Sequence, residues 1–196
     1  MKEFADNNYD SASINKIIKE LNIARGSVYQ YFSDKLDLWL YLKEYAELQK
    51  VKHIQSLDRN QFSDFWTFYE ELFLKGILFD VEQPVSSRFL YRIGYLESSK
   101  DVSEYIGTWK VKAREMFTVW VENEKQRGSI NPEINTEIAV QFILSISSSI
   151  GEWVQNKYSS AIESNLKIGQ PLFIEGLEEY KRTVKESIKL LKKAWA

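Results

Sequence analysis

The chain has 196 residues and is 44% hydrophobic, which supports a real core and excludes a disordered chain. It has no Cys, so disulfide and thiolate chemistry are excluded. Its net charge is −2, and residues 1–50 hold seven Lys and Arg against eight Asp and Glu, so it is not a sequence-blind coater of nucleic acid. No apolar run reaches the length of a membrane span, and Met1-Lys2-Glu3-Phe4 lacks the apolar segment of a signal peptide. We expect a cytoplasmic protein with no membrane partner.

Residues 13–35 organise the rest. Ile14, Ile17, Ile18 and Leu21 recur at helical spacing and form one buried stripe. Ser13 is placed to cap this helix, and Asn22 to end it in the left-handed conformation. Ile23 plugs the corner, and a second short helix runs over about 24–31, with Val28 and Phe32 facing the first. Arg25, Gly26, Ser27, Tyr29 and Gln30 are left pointing outward. Arg pairs with guanine and Gln with adenine, while Ser and Tyr hydroxyls suit phosphate oxygens. Such a helix fits the major groove of double-stranded DNA. Asp34 caps the next helix, and Lys35 beside that helix N-terminus suits a phosphate.

A rod-like helix follows over about 34–54, with Leu38, Tyr41, Leu42, Tyr45 and Leu48 as its apolar side. The boundary between head (1–46) and body (47–196) falls inside it. The next helix, about 61–80, is apolar nearly all round, which indicates burial. Pro84 opens another helix, and a long one is expected over about 101–127, ended by Gly128. Asn135 or Thr136 caps a helix to about Tyr158 that mixes large apolar residues with small ones. Residues 159–171 read as irregular. The last helix, about 172–195, carries the stripe Phe173, Leu177, Tyr180, Val184, Ile188, Leu191 and Trp195, close to a heptad seam. That seam suits a partner copy and the chain's own body equally. The chain as a whole reads as all-α.

The 28 aromatic residues raise the question of a ligand. Trp66, Tyr69, Phe73, Tyr91, Tyr95, Trp109, Phe117 and Trp120 could line a pocket for a small apolar or aromatic molecule. For any one of them, plain core filling is the simpler reading. Arg88, Arg92 and Arg114 could offer a charge, though each is expected at the surface. His53, the only histidine, is expected at the surface near a helix end. No metal set, Ser–His dyad or phosphate-binding glycine loop can be assembled, so we expect neither catalysis nor a cofactor.

Phe4-Ala5, Tyr9, Ser13-Ile14, Ile17-Ile18, Asn22 through Phe32, Lys35 and Asp37-Leu38 together resemble the DNA-binding domain of TetR/AcrR bacterial regulators over residues 4–46. The resemblance implies a helix-turn-helix head on a helical ligand-binding and dimerisation body. It implies base contacts from Arg25, Ser27 and Gln30, and phosphate contacts from Ser13, Tyr29, Tyr31 and Lys35. It tips the last two helices, with their stripe, towards a four-helix homodimer interface. The family's first helix is longer than residues 1–6 allow, and we read this start as mis-set or trimmed. The function implied is a ligand-released repressor of a near-palindromic operator. The rival is a helical ligand-binding or adaptor protein without DNA binding.

Overall fold

The computed structural model describes residues 1–195, with side chains through Lys193, so the side chain of Trp195 in the predicted stripe lies outside the described residues. The described residues form eleven α-helices. The head consists of α1 (Lys2–Asp6), α2 (Ile14–Leu21) and α3 (Arg25–Tyr29), and α4 (Lys35–Gln55) runs from it into the body. The body comprises α5 (Phe65–Glu82), α6 (Pro84–Tyr95), α7 (Ser103–Ile106), α8 (Thr108–Gln126), α9 (Thr136–Lys157), α10 (Ser159–Ile168) and α11 (Leu177–Trp195).

Local chemistry sets several helix ends. Asp34 accepts from the N–H of Asp37, Asp64 from those of Trp66 and Thr67, and Asn135 from that of Ile138. Each takes up a backbone donor that the helix cannot pair. Gly128 takes φ +76 after α8, as a C′ glycine should.

Three boundaries depart from the expectation. The helix expected at 101–127 breaks at Gly107 into α7 and α8. Residues 159–168, expected to be irregular, form α10, which ends at Gly169 with φ +79. The last helix begins at Leu177 rather than 172, because Asp80 takes the N–H of Phe173 at 2.9 Å and holds that segment as a turn. Gly176 is needed where this turn passes Tyr158, since a Cβ there would lie 2.9 Å from the ring.

The main core joins α5, α8, α9 and α11 through Phe65, Tyr69, Phe117, Val121, Ile143, Val184 and Ile188. A second core is shared between head and body. Phe4, Tyr9, Ile14, Val28 and Trp39 pack there with Phe89 and Ile93 of α6 and with Val102. The body thus supplies part of the floor on which the head sits. On α4 the buried side is Leu38, Trp39, Lys43, Ala46 and Glu47, whereas the expected Tyr41, Tyr45 and Leu48 are exposed. A charged pair explains the difference: Lys43 and Glu47 meet at 2.5 Å inside the structure, and Lys43 also donates to Thr108 at 3.0 Å. Each ion is partnered, which makes its burial tolerable.

Candidate nucleic-acid interface

In the head, Ser13 caps α2 by accepting from the N–H of Lys16 at 3.3 Å. Asn22 ends α2 at φ 50, ψ 43, the left-handed region expected of it. Glu3 of α1 fixes this corner: its carboxylate accepts from the N–H of Ser13 at 3.2 Å and pairs with Lys16 at 2.7 Å. Val28 is buried between α3 and the rest of the head. The stripe ends earlier than expected, because Leu21 is 62% and Ile23 40% exposed.

Arg25, Ser27 and Gln30 are all exposed on α3 and its C-cap. Among the described residues the side chains of Ser27 and Gln30 have no hydrogen-bond partner, and Arg25 only lies over the Tyr29 ring at 5.6 Å. The face is therefore not used by the fold. Ser13, Tyr29 and Lys35 line one shallow depression beside it, together with Asp10 and Asp34. Both acids are engaged, Asp10 by the Ser99 hydroxyl at 2.7 Å and Asp34 as the α4 cap. Tyr31 stands apart, 79% exposed. Lys35 is less free than expected: its ammonium donates to the carbonyls of Asp10 and Ala12 at 3.4 and 3.3 Å and lies 4.5 Å over the Tyr9 ring.

The head is clamped to α6 by groups that the sequence reading left at the surface. Arg88 is 2% exposed and donates to Asp6 of α1 at 2.8 Å. Arg92 donates to the carbonyls of Ala5 and Asp6 at 2.9 and 3.1 Å, satisfying the open end of α1. Glu97 accepts from the N–H of Tyr9 at 2.8 Å. The one signal in the sequence was the spacing of Arg88 and Arg92, four apart on one helix face. Arg114 stays exposed, paired to Gln141.

The eight expected pocket residues do not come together. Trp66, Tyr69, Phe73, Phe117 and Trp120 pack into the main core, with Tyr69 stacked on Phe65 at 5.7 Å and edge-on to Phe73 and Phe117. These rings pack on one another. Burial raises the pKa of Tyr69, whose hydroxyl lies 2.6 Å from that of Ser147. Tyr91 and Tyr95 form a separate cluster, with Tyr91 edge-on to Phe173. Trp109 lies apart at the start of α8.

The α11 stripe is corrected as well. Val184, Ile188 and Leu191 are at most 3% exposed and pack into the chain's own core. Phe173 packs in the Tyr91 cluster, and Tyr180 lies against the main core, its pKa pushed up to about 12 by burial. Leu177 is partly buried at the start of α11. An apolar groove remains on the outside, between α9 and α11, formed by Phe142, Ile146, Trp153 and Leu190 with Ser149, Thr183 and Ser187 between them.

Among the described residues no helix is long and apolar enough to cross a membrane. Among the described residues no group of three or more His, Asp or Glu could hold a metal ion.

An exposed recognition helix on a capped head, carried by an all-helical body, defines a DNA-binding transcriptional regulator. Residues 1–42 match the model of the tetR family of bacterial regulatory proteins. Over 98% of this chain and 88% of the other, the structure resembles a TetR family transcriptional regulator from Chloroflexus aurantiacus J-10-FL, with TM-score 0.70 and 25% identity. A gamma-butyrolactone receptor (ArpA-like protein) shares the fold at TM-score 0.54 and 14% identity, over 96% of this chain and 93% of that one. No curated protein matches the sequence. The head thus resembles the DNA-binding domain of tetR family regulators, and the whole chain shares its fold with a TetR family regulator, which supports a DNA-binding transcriptional regulator.

Proposed function

We propose that the protein is a homodimeric, ligand-released repressor working in the cytoplasm on a near-palindromic operator. The observation that carries this is the face of α3, where Arg25, Ser27 and Gln30 are exposed and unused by the fold. Arg25 takes a guanine edge, Gln30 an adenine, and Ser27 either. Ser13, Tyr29 and Lys35, which share one depression, grip the phosphate backbone, and the exposed Tyr31 holds a phosphate outside that depression. Ser13 uses an oxygen lone pair as a cap and keeps its O–H to donate. Lys35 keeps one of three ammonium protons after its two carbonyl bonds.

The groove between α9 and α11 is where a second copy docks. Phe142 at 48%, Trp153 at 42% and Leu190 at 68% exposure leave apolar area that a two-fold contact would cover. Two heads then meet half-sites about one DNA turn apart, roughly 34–36 Å. A small apolar or aromatic molecule entering the body over residues 61–153 favours a different head spacing. It must bind that state better, and a coupling of about 1–3 kcal/mol suffices.

The test is fluorescence anisotropy of the full chain on the DNA upstream of its own gene, beside a scrambled duplex, across a salt series. Tight binding to one duplex, lost in Arg25→Ala, is expected. Equal weak binding to both overturns the operator reading. It would favour a helical ligand-binding or adaptor protein instead, a reading that the acidic balance of residues 1–50 supports.

A further inference from the structure

We infer that residues 169–176, the connection from α10 to α11, act as a strap through which the body positions the DNA-binding head, with Asp80 of α5 as its fastening. The strap links α11 to α1 by way of α6, a route separate from the rod α4.

Two glycines bound the strap. Gly169 ends α10 at φ +79, and Gly176 passes Tyr158 where a Cβ would lie 2.9 Å from the ring. The middle of the strap is seated on α6: Leu172 is buried with Tyr91 and Ile162, and Phe173 meets Tyr91 edge-on at 6.1 Å. Its polar groups are tied on both sides, the Phe173 N–H to Asp80 at 2.9 Å and the Glu175 carboxylate to Asn165 of α10 at 2.7 Å. The heptad-like stripe of α11 extends back to Phe173, yet the helix starts at Leu177. Contacts made by the strap, not periodicity, keep it a turn.

Asp80 fastens it with both carboxylate oxygens. The residue is 2% exposed; Oδ2 accepts from the Phe173 N–H and Oδ1 from the Ser87 hydroxyl of α6 at 2.7 Å. One buried carboxylate thus fixes α5, α6 and the strap relative to one another. The next residue of α6 is Arg88. Its Nη1 donates to Asp6 of α1 at 2.8 Å and lies 3.4 Å from the Leu166 carbonyl near the end of α10, while its Nε is buried with no partner. The guanidinium therefore does not grip one carboxylate with its planar fork. A single nitrogen is shared between head and body, so a shift of α6 or of the α10 end moves the group that Asp6 follows. Arg92, one turn further along α6, holds the carbonyls of Ala5 and Asp6, so α1 travels with α6. Among the described residues Asp80 has no hydrogen bond to the head. It is a positioning residue that acts through Ser87, Arg88 and the strap. Such coupling runs both ways: loosening the strap loosens α1, and loosening α1 loosens the strap.

The test is amide hydrogen exchange of the full chain, read separately for residues 1–12 and 169–176. Asp80→Asn keeps the shape of the side chain and removes its charge. It should speed exchange in both segments, by about threefold or more. Asp6→Asn, at the other end of the route, should speed exchange in the strap. Ile143→Val, a loss inside the main core, should leave both segments at the parental rate, which separates positioning from overall stability. Faster exchange confined to the strap in Asp80→Asn, an unmoved strap in Asp6→Asn, or an equal rise in Ile143→Val would each overturn the proposal. Ser87→Ala removes one of the two Asp80 bonds and carries the same expectation if Asp80→Asn does not fold. These readings need neither DNA nor a ligand, so the strap stands or falls apart from the operator reading.

Discussion

Arg88 of α6 and Asp6 of α1 meet at 2.8 Å across the seam between body and head. The same guanidinium nitrogen lies 3.4 Å from the carbonyl of Leu166, so it touches the end of α10 as well. Gly169 ends α10 at φ +79, a left-handed conformation that favours glycine, beside the same guanidinium. Asp6→Asn would remove the counter-charge of an arginine that is 2% exposed, while Asp6 itself is 33% exposed. The expected cost is about 1.5–3 kcal/mol, the range for a hydrogen bond to a charged group. Urea denaturation checks this, and an unchanged midpoint would count against it. Head placement should loosen too, so the variant should discriminate less between operators whose half-site spacing differs by one base pair.

Arg25→Ala should relax base preference at one operator position and cost about 1–3 kcal/mol of binding. Selection from a randomised operator reads this directly. An unchanged preference would remove Arg25 from the base-reading set.

Tyr29→Phe keeps the ring under Arg25 and deletes the hydroxyl. Binding should weaken on all sites alike, by about 0.5–1.5 kcal/mol, the ordinary net worth of one hydrogen bond. A shift in site preference would instead assign Tyr29 to a base.

Trp153→Glu with Leu190→Glu should give folded monomers by sedimentation, because both residues line the outer groove and are more than 40% exposed. Val184→Glu should fail to fold at all, since Val184 is fully enclosed in the main core and an unpaired carboxylate there has no partner. Dimers of the double variant would move the interface elsewhere.

Lys50→Met carries a pH signature. The folded-state pKa of Lys50 lies below its unfolded value of 10.5, so the native state binds the proton less well. That penalty is present in full below the folded-state pKa and fades as pH rises from there to 10.5, the window in which the folded state has lost the proton and the unfolded state still holds it. The variant should melt above the parent at pH 7, and the gap should narrow by pH 10. A gap independent of pH would show that packing, not charge, sets it.

Much of the head was legible because its rules are local. Ser13, Asn22 and Asp34 each cap a helix through atoms within four residues, and the exposed set on α3 follows from helical spacing alone. The site in the body was not legible in the same way. Leu21 and Ile23 obey the apolar pattern and still face outward, because no element of the head packs over them in the structure. The aromatic residues chosen as a pocket were apolar enough to line one, yet apolarity does not distinguish a lining from a filling.

By itself the sequence determined that the chain is helical, where α2, α4, α6 and α9 begin, and that α3 presents Arg25, Ser27 and Gln30. Those outcomes rest on hydrogen bonds and periodicities spanning a single helical turn. Tertiary structure alone decided that Val184, Ile188 and Leu191 face inward, that Arg88 is buried against Asp6, and that His53 Nε2 is buried without an acceptor. The inward side of an amphipathic helix, and the cost of burying a charge, depend on which distant segment closes over it. That pairing spans 82 residues between Asp6 and Arg88 and leaves no local trace in the chain.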